Sequence, residues 1–232
     1  MMFLTSCHAK NQKQCHKSLN IYMCAETLFQ MKKSESADSL ESLWEEIWAL
    51  LGRGAAFPKD PWHAPQLSTI ASSGPKSRIV ILRKADKGKS VLICHTDIRA
   101  QKVKEIQRNA NISWLFWNAR ARIQLRLEAT AVIHHMNSQA AAHWDSLSAS
   151  SRTTYSLTEA PGTEVPSDHA PLISFDRDLS PSAEKLNAWY NHFAVIETTV
   201  QAVEWLELHR EGHRRAQFTR QESSWRMYWM IP

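Results

Sequence analysis

Residues 121–129 alternate strictly between apolar and polar side chains, and this stretch limits the possible folds more than any other. On a strand, successive side chains point to opposite faces. One face then carries only apolar residues, namely Ile123, Leu125, Leu127 and Ala129, and the other carries Arg122, Gln124, Arg126 and Glu128. The pattern predicts an antiparallel strand with one face on the core. The polar row is either solvated or lines a ligand groove.

Further strand patterns surround this one. They cover residues 66–72, 77–84, 90–96, 111–117 and 121–135, followed by four closing strands, "FAVIETTV", "AVEWLEL", "HRRAQFTR" and "WRMYWMI". Helices are predicted at 39–51, ended by Gly52 and Gly54, at 96–109, capped by Thr96 or Asp97, at 138–147, and after 180 with Pro181 in the first turn. Strands dominate and helices lie between hairpins. This predicts a mainly β protein with helical decoration, built as a closed or split antiparallel β-barrel.

The rest of the chain sets the domain limits. Residues 1–35 show no sustained period and are predicted to be a disordered N-terminal extension, with a start-like Met31, whereas residues 36–232 form one domain. Within that domain, residues 156–180 are rich in Pro, Ser and Asp and predict a long loop. Three of the four cysteines fall in the extension, and their spacing matches no zinc pattern, so no metal site is expected.

Charge and hydropathy exclude several classes of protein. The net charge of +5 is mildly basic, and no Lys/Arg run suggests a nucleic-acid arm. The sequence has neither an apolar run of about 18 residues nor a signal peptide. We therefore expect a cytoplasmic protein that binds no nucleic acid and no membrane.

Residues 77–83 form an apolar strand bracketed by Arg78 and Arg83, which fall on opposite faces. A strand that is apolar on both faces needs another layer, or another subunit, outside it. The two arginines either extend to solvent at the strand ends or bind a ligand. Lys102, with Arg99 close by, lies near the start of the helix at 96–109, and a helix N-terminus favours anions. Arg78, Lys102 and this helix start would then converge on one phosphate.

Four segments, "SRIVILRK", "VLICHTDIRAQK", "RIQLRLEATA" and "VEWLELHREGHRRAQF", occur in an order that resembles the pyridoxamine 5′-phosphate oxidase family of FMN-binding split barrels. The similarity is greatest to a subgroup named only for its FMN-binding domain. The resemblance implies a homodimer with FMN at the subunit interface and a small-molecule substrate. It also implies that Arg78 and Lys102 bind the FMN phosphate.

The resemblance implies roles for further residues. The backbone along the isoalloxazine would come from Ile79, Val80, Ile81 and Leu82, with Arg83 near flavin and substrate. His95 and Thr96 would lie beside the ribityl phosphate, and Gln124 and Arg215 would reach the flavin. Trp205 would match a family Trp near the flavin, although Leu206 could equally take that place. His213 is the candidate substrate-binding residue.

Departures from the family pattern concern mainly the substrate. Ala100 and Gln101 replace a Ser-Arg pair, Glu211 replaces an Arg that grips the substrate, and residues 143–152 lack a convincing Tyr/Arg/Ser trio for its phosphate. The sequence therefore predicts an FMN-dependent oxidoreductase with an unidentified substrate. The alternatives are a true pyridoxamine/pyridoxine 5′-phosphate oxidase, which passes a hydride from C4′ to FMN N5 with O₂ as acceptor, and a non-catalytic module that binds flavin, deazaflavin or haem.

Overall fold

The computed structural model describes residues 39–165, 174–176, 178, 180–222 and 224–232. Within them nine strands form one sheet: β1 Gln66–Ala71, β2 Gly74–Ile79, β3 Leu82–Asp86, β4 Val91–Asp97, β5 Asn111–Asn118, β6 Ile123–His134, β7 Phe193–Glu207, β8 Arg214–Arg220 and β9 Trp225–Met230. The helices are α1 Leu40–Ala56, α2 Gln101–Arg108, α3 Ser138–Asp145, α4 Ala149–Arg152 and α5 Ala183–Tyr190, with a 3₁₀ turn at Thr153–Tyr155. None of these described helices is long and apolar enough to cross a membrane.

The sheet is antiparallel throughout, and its order explains why it curls. The strands run β2-β1-β5-β6-β7-β4-β3, with β8 and then β9 attached to the C-terminal half of β7. β2 and β3 lie at the two ends of this path, yet only Val80 and Ile81 separate them in the chain. The two ends must therefore come together, which closes the sheet into a barrel. The predicted mainly β, split-barrel fold is confirmed.

Two strand predictions were wrong in detail. Residues 77–84 are not one strand, because β2 pairs with β1 and β3 pairs with β4 at opposite ends of the sheet. The last apolar stretch before β8 is one strand, β7, where two were predicted. Its partners shift from Val200 to Ala202 against β6, so Gln201 bulges out of the ladder. A bulge interrupts the alternation without ending the strand.

Helix ends also differ from the predicted ones. α1 does begin after Ser39, whose Oγ accepts from the Ser42 N–H at 3.1 Å, but it continues through Gly52 and Gly54 to Ala56. α2 begins at Gln101 after Ala100, which gives no side-chain cap. The predicted cap Asp97 instead accepts from the Arg99 N–H at 2.8 Å. In α5 the cap is Ser182, so Pro181 precedes the first turn.

The chain divides into two units, residues 1–46 and 47–232, with the boundary inside α1. All nine strands and the other helices belong to the second unit. The predicted extension at 1–35 lies outside the described residues, as do residues 166–173, 177 and 179 of the predicted long loop.

Apolar side chains fill the inside of the barrel and cover part of its outer face in the second unit. Inside the barrel, Trp114 is fully buried and its Nε1–H donates to Thr198 Oγ1 at 3.2 Å. A second cluster lies on the outer face and contains Ile93, Trp144, Tyr155, Trp189, Phe193 and Val195. β4 and the start of β7 are therefore packed on two sides, whereas β2, which bears Arg78, is largely exposed.

Candidate functional site

A buried polar cluster joins strands β1 and β2 to helix α2. Glu105 of α2 is almost fully buried and accepts hydrogen bonds from Thr69 Oγ1 and, at 2.9 Å, from Arg78 Nη2. Arg78 Nη1 also donates to Thr69 Oγ1. Glu105 is a member of the cluster that the sequence analysis missed, because a carboxylate 27 residues from Arg78 carries no local signal.

Lys102 lies one turn before Glu105 on the same helix. Its Nζ donates to Thr96 Oγ1 at 3.0 Å. Burial lowers the pKa of Lys102, and repulsion by the Arg78 guanidinium lowers it further, which places the two cations within electrostatic range of each other. Glu105 accepts directly from one of them, Arg78. Ala100 gives the first turn of α2 no side-chain cap, and of the N–H groups there that of Val103 donates to the Ala100 carbonyl at 2.9 Å. The predicted convergence of Arg78, Lys102 and the helix start fits an anionic group such as a phosphate.

Arg99 does not join this cluster. Its Nε and Nη2 donate to the two oxygens of Asp97 at 3.0 and 2.7 Å, and its guanidinium also reaches the carbonyls of Leu157 and Thr158. Arg99 therefore attaches the segment after the 3₁₀ turn to the end of β4.

The outer face of β6, β7 and β8 carries a second group of candidates. Gln124 lies directly opposite Leu206, and Leu206 lies directly opposite Arg215. Directly opposed residues in an antiparallel sheet share one face, so these three side chains are neighbours. Trp205 points to the other face, where it is buried with its ring 6.4 Å from that of Trp229. Of the two registers left open by the sequence, the structure places Leu206 beside Gln124 and Arg215.

Glu204 on the same outer face binds two arginines. It is 5% exposed, and its Oε2 accepts from Arg126 Nη2 at 2.6 Å and from Arg215 Nη2 at 2.7 Å. Arg126, a member of the polar row that the sequence left either solvated or lining a groove, is half exposed and ion-paired. The sequence analysis missed Glu204. The pairing register of β6 and β7 reveals it, because this register places Glu204 directly opposite Arg126.

The two groups lie on different faces of the sheet. The pairing register puts Arg78 opposite Leu67, Leu67 opposite Trp114 and Trp114 opposite Leu127, which is the core face. Gln124 and Arg215 lie on the outer face. A ligand bound to Arg78 and Lys102 is therefore not presented directly to Gln124 and Arg215 of the same subunit.

His95 is held by a second histidine. Its Nε2 lies 3.2 Å from His143 Nδ1 on α3, and its ring meets Phe193 edge-on at 5.0 Å. Burial lowers the pKa of His95 to about 3, with further lowering by His143 and Arg83. Burial also lowers the pKa of His143. Both rings are therefore neutral near pH 7, and their contact joins β4 to α3.

The other candidate residues occupy varied places. Ile79 is exposed, Val80 is buried, and Val80 and Ile81 form the link between β2 and β3, where the Val80 and Leu82 N–H groups donate to the carbonyls of Pro65 and His63. Arg83 is exposed. His213 and Glu211 are exposed before β8, and His213 Nδ1 accepts from the His209 N–H at 3.2 Å. No described group of His, Cys, Asp and Glu could hold a metal ion.

Comparison with known proteins agrees with this geometry. Residues 46–135, which contain β1–β6 and α2, match the family model described as pyridoxamine 5′-phosphate oxidase, FMN-binding domain. The resemblance recognised in the sequence motifs is therefore confirmed over residues 46–135, and the domain that matches there is an FMN-binding domain. A comparison with curated proteins found no match.

Two solved structures share the fold. A pyridoxamine 5′-phosphate oxidase-related, FMN-binding protein from Nostoc punctiforme PCC 73102 superposes with a TM-score of 0.65 and 21% identity over 82% of this chain and 97% of that one. PhzG from Burkholderia lata 383, solved with tetrahydrophenazine-1-carboxylic acid, gives a TM-score of 0.58 and 17% identity over 81% of this chain and 90% of that one.

Proposed function

We propose that the protein is an FMN-dependent oxidoreductase whose substrate is a small molecule still to be identified. The observation that carries the proposal is the cluster of Arg78, Lys102 and Thr96 at the uncapped start of α2, inside the FMN-binding domain. Two cations beside one buried carboxylate leave positive charge for a phosphate.

In this proposal each group of residues has a separate task. Arg78, Lys102 and the Thr96 hydroxyl bind the FMN phosphate, while Gln124 and Arg215 bind and orient the ring. Lys102 stays protonated at neutral pH despite its lowered pKa if a phosphate joins it, because an adjacent anion favours the charged form. FMN, when bound, supplies the redox chemistry.

We further propose that the protein is a homodimer whose flavin sites are shared. Arg78 and Gln124 lie on opposite faces of one subunit's sheet. A second copy would bring its outer face, with Gln124 and Arg215, to the phosphate group held by the first. The exposed Ile79, Ile70 and Trp117 on that outer face supply apolar surface for such a contact.

A true pyridoxamine 5′-phosphate oxidase is the second candidate, favoured by the matched family model. Glu211 is exposed beside His213, where a carboxylate repels a phosphorylated substrate. We therefore expect weak turnover of pyridoxamine 5′-phosphate or none.

The visible spectrum of the purified protein tests whether it is a flavin-dependent oxidoreductase. We expect the two absorption bands of a flavin, bleached under anaerobic conditions by a reduced donor and restored by O₂. A flavin that no donor bleaches would indicate a non-catalytic module, and a Soret band would indicate haem. Production of H₂O₂ with pyridoxamine 5′-phosphate would favour the second candidate.

Co-expression of two variants tests the shared site. Arg78→Ala and Arg215→Gln each damage one half of the site. In a mixed dimer one site carries both changes and the other carries neither, so mixing restores tight FMN binding to a fraction of the sites. If both halves came from one subunit, mixing would restore nothing.

A further inference from the structure

Glu204 is a charged residue whose burial is energetically unfavourable unless the carboxylate is paired. It is 5% exposed near the C-terminal end of β7, and a buried carboxylate is stable only when it is paired. Both of its partners are arginines, and both donate to the same oxygen, Oε2. Arg126 lies directly across the β6/β7 ladder, whereas Arg215 reaches Glu204 diagonally across β7/β8.

Arg215 is fixed at one end of its guanidinium and unpaired at the other. Nη2 is held by Glu204, while Nε is buried and has no partner among the described residues. A buried N–H without an acceptor is unfavourable. Because Nε has no accessible surface, a ligand would meet Arg215 through the 28% of its side chain that is exposed.

We infer that Glu204 is a positioning residue that holds the Arg215 guanidinium ready for the flavin. The inference rests on the proposed function, in which Arg215 contacts FMN. Glu204 itself touches no ligand in this scheme. It acts by fixing a long, flexible side chain before FMN arrives, so that less conformational freedom is lost on binding.

The sign of the effect separates positioning from simple electrostatics. Glu204 is negative, so on charge alone its removal would strengthen the attraction of this face for anionic FMN. Positioning predicts the opposite, because Arg215 would lose its anchor. A variant that keeps the negative charge but moves the carboxylate away from Arg215 tests the positioning effect alone.

The experiment measures FMN dissociation constants of the full chain by quenching of flavin fluorescence. Glu204→Asp keeps the charge and shortens the side chain by one methylene, and we expect binding about tenfold weaker, the value of one charge-assisted hydrogen bond. Glu204→Gln is expected to weaken binding as well. Glu128→Gln is the matched control, because it removes the same charge from an exposed position on the same face. We expect its affinity within about twofold of the parent.

Arg215→Gln separates failure of this inference from failure of the proposed function. If Arg215→Gln binds FMN as tightly as the parent, the proposed flavin contact is wrong. If Arg215→Gln weakens binding but Glu204→Asp does not, only the positioning role is overturned. If Arg215 contacts the flavin and Glu204 positions Arg215, the Glu204→Asp/Arg215→Gln double variant binds FMN no more weakly than Arg215→Gln alone. Glu204 then acts only through Arg215.

Arg126→Gln gives a second test that leaves Glu204 unchanged. It removes a positive charge from the face but leaves Glu204 bound to Arg215, so positioning predicts an affinity within about threefold of the parent. Arg126→Gln tests the positioning role of Glu204 even if far-UV circular dichroism shows that the Glu204 variants do not fold. A loss of about tenfold in Arg126→Gln would overturn the inference in favour of a pure charge effect.

Discussion

Arg78 has two roles in the proposed site, since it neutralises Glu105 and is available to a phosphate. We predict that Arg78→Ala weakens FMN binding about 10- to 100-fold, as expected for the loss of a charge-assisted bond of about 1.5–3 kcal/mol. Arg126→Ala should have a much smaller effect, because Arg126 pairs with Glu204 on the other face. Fluorescence titration of both variants in one buffer makes the comparison.

The buried Glu105 requires a control for this prediction. Arg78→Ala alone leaves the Glu105 carboxylate without its cation, and an unpaired buried charge is destabilising in itself. The Arg78→Ala/Glu105→Gln double variant removes both charges together and should still bind FMN weakly. Recovery of full affinity in the double variant would show that Arg78 acts on Glu105 alone. The FMN binding that remains in Arg78→Ala should also depend less on ionic strength than that of the parent protein.

His95 gives a prediction for the pH dependence of stability. Its pKa is lowered from 6.5 to about 3 in the folded protein, so between these values the unfolded chain binds a proton that the folded one does not. Stability therefore falls as the pH drops below 6.5, by up to about 1.4 kcal/mol per pH unit from this group. His95→Phe keeps an aromatic ring against Phe193 and should flatten this fall.

Melting temperatures of the apoprotein between pH 7.5 and 4.5 measure the effect. His209→Gln is the control, because His209 is exposed. We expect the parent and His209→Gln to lose stability in parallel and His95→Phe to lose less. Three parallel curves would mean that His95 binds its proton equally in both states.

At the scale of elements, α1 contains two glycines with opposite expected behaviour. A Cβ at Gly54 would lie 2.6 Å from the Trp62 carbonyl oxygen, whereas a Cβ at Gly52 would meet nothing within 4 Å. We predict that Gly54→Ala destabilises the protein by about 1–3 kcal/mol through overpacking. Gly52→Ala should stabilise it by about 0.5–1 kcal/mol, because alanine favours a helix interior.

Urea denaturation of the three proteins measures these free energies of unfolding. Each substitution adds the same methyl group to the same helix, so the difference between them reports the contact with Trp62. Equal effects at the two positions would contradict the close approach of α1 to residue 62.

Local patterns in the sequence predicted most elements but not where they break. The strict alternation in β6 and the apolar core of β4 gave their strands and faces. The chain between Arg78 and Arg83 reads as continuous strand, and only the need to close the barrel splits it at Val80 and Ile81. Gly52 and Gly54 read as helix ends, because the sequence does not show that Trp62 packs against the helix.

Some residues of the candidate site were predicted from local motifs, whereas others were not. Arg78, Lys102 and Gln124 were found through ordered motifs. Glu105, His143 and Glu204 were missed, because each meets its partner across a long sequence separation, as His143 does with His95. The choice between Trp205 and Leu206 depended on one residue of register, and a one-residue shift reverses the face of every side chain on a strand.

At the scale of the whole molecule, we predict a homodimer that depends on the outer face near β2. Ile79 is 64% exposed there. Ile79→Asp should shift the protein toward monomer in sedimentation at micromolar concentration and weaken FMN binding, because a buried unpaired carboxylate opposes association. Ile231→Asp is the control, since Ile231 is 89% exposed beyond the last strand. A parent protein that stays monomeric with its flavin bound would contradict the shared site.

The central strand β7 sets the order in which the protein can assemble during synthesis. It pairs with β4 and β8 along one edge and with β6 along the other. At about 5–20 residues per second, the ribosome finishes β6 several seconds before β7 has emerged. Throughout that interval β4 and β6 expose unpaired backbone edges, which invite association with other chains. Nascent chains that stop before residue 193 should therefore aggregate or require a chaperone, whereas chains that extend past residue 207 can close the sheet.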